Sequence, residues 1–274
     1  MFFANALKIS SILGYHNYEQ NLDKTRTKKV KVNLLEIAMA KVTVTGKYPK
    51  RIDDFVLYEL NDQVIMRAKS GFTSKELKTS PKYALSRQNA SEFGRVSATC
   101  KQLRLALSGY LPKKNNLAVV NSLTKKMRQL LVYDAVSARG ERTLAKALAT
   151  TEAQQELKGY HFNPEATVAL HYTIANDQLQ LTTQGIEVPK GATSVSFTVL
   201  ALDFDFETTA STLCEGEKYF FSKNTLPECI ELDIPTIEQT KGALLTILMV
   251  QFYIQDAGGY MPVADDRSKV VVVV

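Results

Sequence analysis

Apolar residues recur with two different periods along this chain, and the change falls near residue 160. In residues 55–67, FVLYELNDQVIMR, apolar runs flank Asn61-Asp62, a turn-favouring pair, which predicts a β-hairpin. Residues 69–79 read as a Lys-rich loop ending at Ser80-Pro81, an N-cap followed by proline at the first helical position. Phe93, Val96, Cys100, Leu103, Leu107 and Tyr110 then recur at alternating steps of 3 and 4, one face of a helix closed by Gly109 and Pro112. A second helix is predicted from Asn115 or Asn116 to about Ala138, with Leu117, Val120, Met127, Leu130 and Leu131 as its apolar face and Gly140 as its stop. A third runs from Thr143 to Lys158 and is stopped by Gly159. Short connections between helices favour antiparallel pairing.

After Asn163-Pro164 the period becomes two. Ala166, Val168, Leu170, Tyr172 and Ile174 alternate with more polar neighbours, and Asn176-Asp177 turns the chain into Leu179 and Leu181. Residues 195–206, VSFTVLALDFDF, carry apolar residues on one parity through Val199 and on the other from Leu200, which predicts a β-bulge. Residues 218–222, 229–234, 243–254 and 270–274 continue the set, and 243–254 is apolar enough for a central strand buried on both faces. About eight short strands predict an antiparallel β-sandwich, immunoglobulin-like or jelly-roll-like. The expected fold class is therefore α+β: an N-terminal β-hairpin plus a helical region, then a C-terminal sandwich. The five valines at 270–274 either dock in that sandwich or pair with another chain.

Charge sharpens the division. Residues 1–150 hold 27 Lys and Arg against 11 Asp and Glu, whereas residues 151–274 hold 7 against 17. The expected organisation is a basic extension over 1–38, a basic hairpin-plus-helices domain over 39–160 and an acidic β-sandwich domain over 161–274. Residues 22–32, with five basic residues, read as a solvated arm, and Met39 as an alternative start of the natural protein. With 45% hydrophobic and 23% charged residues the chain can bury a core without staples, and its three cysteines are too few for a disulfide scaffold. The N-terminus lacks a basic secretory n-region, and no apolar run has the length of a membrane span; a cytoplasmic protein is expected.

The densest candidate chemistry is cationic. Arg87, Arg95, Lys101, Arg104, Lys113, Lys114, Lys125, Lys126 and Arg128 are interrupted by one acid, Glu92. Such density suits phosphate contacts, because affinity grows with the number of counterions released. No RNP-type aromatic motif or helix-turn-helix signature accompanies it, so an electrostatic surface is expected rather than base reading. Asp203, Asp205 and Glu207 alternate along one predicted strand. They read either as oxygen ligands for calcium or as a strand's solvent face, and the alternation alone accounts for the second. Cys214 and Cys229 flank one predicted strand and are expected to stay reduced. His16, His161 and His171 belong to no HExxH, nucleophile elbow or P-loop pattern, and neither a catalytic site nor a cofactor is expected.

The segments LYELNDQVIMRAKSG (57–71), TSPKYALSRQNASEFGRVS (79–97), ARGERTLAKAL with LKGYHFNP (138–164) and QFYIQDAGGYMPV (251–263) resemble a family of uncharacterised Bacteroidota proteins. That resemblance implies a layout of hairpin, helices and β-domain, and no activity. Three functions are expected in order. The first is a non-enzymatic structural protein that self-associates or binds a protein partner through its sandwich and opposite charges. The second is an accessory protein that binds nucleic acid with the basic helices. The third is a carbohydrate-binding or adhesive sandwich using Tyr219, Tyr253 or Tyr260.

Overall fold

The turn at Asn61-Asp62 is made by two consecutive residues in the left-handed region, with φ of 50° and 58°. Asn and Asp tolerate that conformation better than most residues, and its twist matches the strands it joins. In the computed structural model, residues 8–10, 39–43, 49–69, 73–112, 116–166, 168–238, 240–256 and 258–274 are described. The chain divides into two compact units, Met1–Pro81 and Lys82–Val274.

The first unit is an antiparallel sheet of β1 (Lys8–Ser10), β2 (Met39–Thr43), β3 (Arg51–Ile52), β4 (Phe55–Leu60) and β5 (Gln63–Ala68), in the order β1-β2-β5-β4-β3. Val42, Leu57 and Met66 form its small core. Lys8 to Ser10, inside the expected basic extension, pair with Lys41 to Thr43; the rest of that extension lies outside the described residues. The expected loop over 69–79 contains a helix, α1 (Ser74–Thr79), capped by the Thr73 hydroxyl accepting from the Glu76 N–H at 3.1 Å. Ser80-Pro81 ends α1 and opens a 3₁₀ turn, Pro81–Tyr83, that leads into the next helix.

The second unit holds α2 (Ala84–Ala106), α3 (Asn116–Leu130), α4 (Leu144–Leu148) and α5 (Thr151–Leu157). The single helix expected over 143–158 is two, because the Thr150 hydroxyl caps a new N-terminus at Ala153 N–H. Strands β6 (His171–Ala175), β7 (Gln178–Thr182) and β10 (Cys229–Asp233) form a three-stranded sheet in the order β10-β7-β6. Strands β8 (Ser194–Phe204), β9 (Ser211–Ser222), β11 (Ala243–Asp256), β12 (Gly259–Pro262) and β13 (Lys269–Val273) form a five-stranded one. Both are antiparallel. Among the described residues, no helix is long and apolar enough to cross a membrane.

The protein is α+β, and its two C-terminal sheets pack face to face. Val195, Phe197 and Val199 of β8, Leu248, Val250 and Phe252 of β11, and Val270 and Val272 of β13 meet Leu179, Leu181, Ile230 and Leu232 of the smaller sheet. The other face of the same strands, through Leu200, Leu202, Phe204, Leu245, Ile247, Met249, Val271 and Val273, is covered by Val96, Cys100, Leu103, Leu107, Leu123, Met127 and Leu157 of the helices. The five-stranded sheet is thus the middle of three layers.

This corrects the boundary expected at residue 160. The helices and the sheets share one core, and the chain divides at 81/82 instead. The physical reason is that β8 is buried along its whole length, so its strands need a cover on both faces and a second sheet supplies only one. Residues 159–162 strengthen the join: Gly159 N–H and Phe162 N–H donate to Val273 and Val271 carbonyls at 2.7 and 2.8 Å. The terminal valines dock between this segment and β11.

The bulge lies where the apolar parity changes, but in the neighbouring strand. Thr198 pairs with Lys218 and Leu200 with Glu215, so the extra residue is in β9, while β8 pairs with β11 without interruption from Ser194 to Phe204. The parity change records a change of layer: odd residues through Val199 meet the small sheet, and even residues from Leu200 meet the helices. Gly216 sits in the bulge, where a Cβ would come within 2.9 Å of the Val199 carbonyl.

Candidate functional site

Helices α2 and α3 pack through Val96, Cys100, Leu103, Leu107 on one and Val119, Leu123, Met127, Leu130 on the other. The stripe on α3 is therefore shifted from the one expected; Leu117 is exposed and Val120 half-buried. Phe93 is likewise outside the core, 48% exposed. Its place on the inward face is taken by Glu92, which is buried. That shift turns Phe93 toward a groove between the two helices.

The groove, about 620 Å³, is lined by Lys101, Arg104, Lys125 and Arg128 together with Phe93, Ser97 and Thr124. Four of the nine sequence-expected cations thus converge on one site, and no carboxylate, histidine or cysteine is among its described lining residues. The Arg128 guanidinium lies over the Phe93 ring, 5.4 Å from its centroid. Ser97 Oγ and Arg104 Nη1 are buried without a hydrogen-bond partner among the described residues. Thr124 donates its hydroxyl to the Val120 carbonyl at 2.8 Å. Cys100 lies beneath, and burial pushes its thiol up to about 12, against the Arg104 charge and a Thr124 hydrogen bond. It is a small core residue, not a nucleophile.

Three of the remaining cations make contacts of their own. Lys126 pairs with Glu156 at 2.7 Å. Arg95 donates to the Gly140 carbonyl and, at 2.7 Å, to Ser91 Oγ. Arg87 makes interactions of its own, and Lys113 and Lys114 lie outside the described residues. Glu92, the single acid of the basic stretch, accepts two bonds from Arg142, both at 2.8 Å, and one from Gly140 N–H at 2.7 Å. The Arg142 bonds hold its carboxyl below the usual range, against the cost of burial. Asp134 takes N–H bonds from Val136, Ser137 and Thr143. These two carboxylates pin the 134–143 loop. Nothing local in the sequence links Glu92 to Arg142, fifty residues away.

The candidate calcium ligands do not share a solvent face. Asp203 is buried, and its two oxygens accept from Lys241 and Gly242 N–H at 2.8 and 2.9 Å. Asp205 lies past the end of β8 and accepts from Glu207 N–H at 2.8 Å in a turn, and Glu207 is exposed. Asp203 and Asp205 organise loops, because their oxygens are engaged by nearby N–H and hydroxyl donors. No group of His, Cys, Asp and Glu suited to a metal occurs among the described residues.

Cys214 lies in β9 and Cys229 in β10, strands of different sheets, and both are free thiols. His161 bridges to Val272, and burial lowers its pKa; His171 is exposed on β6, and His16 lies outside the described residues. Tyr253 and Tyr260 gather with Phe220, which stacks on Tyr260 at 4.8 Å, whereas Tyr219 packs toward the small sheet. Comparison with family models, with curated proteins and with solved structures finds no match to this chain.

Proposed function

We propose that this protein is a non-enzymatic accessory protein that binds nucleic acid in the α2–α3 groove. The supporting observation is the convergence of Lys101, Arg104, Lys125 and Arg128 on one concave surface without a carboxylate among its described lining residues. Like charges held together are costly unless a polyanion neutralises them, and a concave wall focuses their field. Each phosphate engaged releases counterions, so affinity should fall steeply with salt. The lining offers hydroxyl, amide, ammonium and guanidinium groups, which bind phosphate oxygens without carrying out acid–base chemistry.

Charge reversal tests this. Lys101 and Lys125 are exposed, so Lys101→Glu with Lys125→Glu should leave the fold intact. Binding of a labelled oligonucleotide, followed by anisotropy, should weaken by tenfold or more and become less salt-dependent. Reversal at Lys223, outside the groove, should change little. Undiminished binding by the groove double variant would remove the proposal.

A second reading, self-assembly, is favoured by the distribution of charge across the layers. The cationic groove is on the helical layer. On the opposite layer, β10 exposes Glu231 and Asp233, which accept from Gln180 and Gln178 at 3.1 and 3.0 Å. Copies stacked head to tail would bring these surfaces together. Light scattering should then report oligomers at low salt that dissociate at high salt. Monomers under both conditions would exclude this reading.

A further inference from the structure

The nucleic acid proposed above can be specified further. We infer that the α2–α3 groove takes a single strand, with a base stacked at Phe93 and the following phosphates on Lys125, Lys101 and Arg104. This rests on the nucleic-acid reading and adds to it the strandedness of the ligand and the role of one aromatic residue.

Three observations carry it. First, the cations line a valley between two helices and not an outward ridge. A duplex is read by an element that projects into a major groove about 12 Å wide, and a concave surface between two helices is not such an element. A single extended strand fits a valley and tracks it with its backbone. Second, Phe93 is half-exposed at the Arg128 end of the groove, its ring in contact with the Arg128 guanidinium. A half-exposed ring with a guanidinium laid over it forms a stacked pair on which a base can continue the stack, and sequence-tolerant single-strand binding is built from such platforms beside a cationic track. Third, Ser97 Oγ and Arg104 Nη1 are buried at the groove without a partner among the described residues. They are spaced about 10 Å along α2. Buried polar atoms are rarely left unsatisfied, and phosphate oxygens supply the missing acceptor for the guanidinium and for the hydroxyl.

The arrangement therefore has an order. Phe93 and Arg128 lie at one end, Ser97 faces the middle of the same run, and Arg104 lies two helical turns further on. A base leaves the strand at the first point, and its backbone continues past the others. Phosphate binding by three or four cations predicts a slope of log affinity against log salt of about −2 to −3 for a single strand.

The test uses the full chain and four probes: an oligothymidylate of about 15 nucleotides, a duplex of the same length, inorganic polyphosphate of matched charge, and vesicles rich in anionic phospholipid. The oligothymidylate should bind about tenfold more tightly than the duplex or polyphosphate. Phe93→Ala should weaken oligothymidylate binding roughly tenfold and leave polyphosphate binding unchanged, because base stacking is worth that much per base. Phe93→Tyr should retain it. Thermal unfolding of both variants should match the parent, since the ring is half in water. Duplex binding as tight as single-strand binding, or a neutral Phe93→Ala, overturns this inference and leaves the nucleic-acid proposal standing. Binding to vesicles or polyphosphate alone overturns both, as does binding to none of the four.

Discussion

Phe204→Ala is expected to destabilise the protein by roughly 3–5 kcal/mol, the range for deleting a fully buried phenyl ring. Phe204 is 0% exposed and belongs to the core shared by the helices and the five-stranded sheet. Its ring meets Phe206 edge to face, with centroids 4.8 Å apart. The surroundings are poorly placed to collapse into the space left. Gly242 presses so closely on Phe204 that a Cβ there would lie 2.3 Å from its carbonyl carbon. Asp203 ties the same loop down through the Lys241 and Gly242 N–H groups. The loss therefore belongs toward the upper end of the range. Urea unfolding reads it as a lower midpoint at unchanged slope. Phe220→Ala, on an exposed ring, should cost about 1 kcal/mol. A loss at Phe204 no greater than that at Phe220 would mean that the helical layer does not close over the sheet.

The second large effect concerns Glu92 and Arg142. Arg142→Ala leaves the Glu92 carboxylate buried with the Gly140 N–H and without its countercharge. Removing one partner of a buried pair costs about 3–5 kcal/mol. The Arg142 side chain keeps 26% of its surface in water, so the lower end of that range applies. Replacing both residues with apolar ones of similar volume should cost less than the single change, because no charge is then stranded.

The pair also sets a pH dependence. Arg142 hydrogen bonds hold the Glu92 carboxyl below its ordinary 4.5, and burial opposes them. At Asp134 burial is the largest single influence and raises the pKa, but N–H bonds from Thr143, Ser137 and Val136 together outweigh it and bring the carboxyl below 3.8. A depressed native pKa means that the unfolded chain takes up the proton first as pH falls. The stabilisation is therefore complete above the ordinary carboxylate range and is lost as pH drops through the native values. Urea midpoints measured between about pH 6 and 3 should decline for the parent and decline less for Glu92→Gln. An identical decline would place the acid sensitivity elsewhere.

Much of the molecule was legible from local pattern. Apolar runs about a turn-favouring pair marked the 55–67 hairpin, and near-continuous apolarity marked β11 as central. The helical period located α2 and most of its inward stripe. It misplaced Phe93 because a period reports which positions share a face, and Glu92 had exchanged roles with its neighbour. A buried acid inside a basic helix is readable only once Arg142 is brought beside it. The stripe on α3 slipped for a similar reason: Val119 and Val120 are equally apolar, and only packing separates the one in the core from the one in the groove.

The candidate site was legible as a list and not as a place. Nine cations were visible along the chain, and four share the groove. Lys126, Arg95 and Arg87 are drawn into contacts with their surroundings by partners the linear sequence does not reveal.

By itself the sequence determined the types of most elements, because side-chain periodicity is a local property of the backbone. It also determined the turns and the excess of positive charge in its first half. The tertiary structure alone decided that helices and sheets share a core, that the parity change in β8 is a change of neighbouring layer, and that the cations meet in a valley. An apolar face must be covered, but its covalent neighbours do not specify what covers it. That choice is made by burying two faces of one sheet at once.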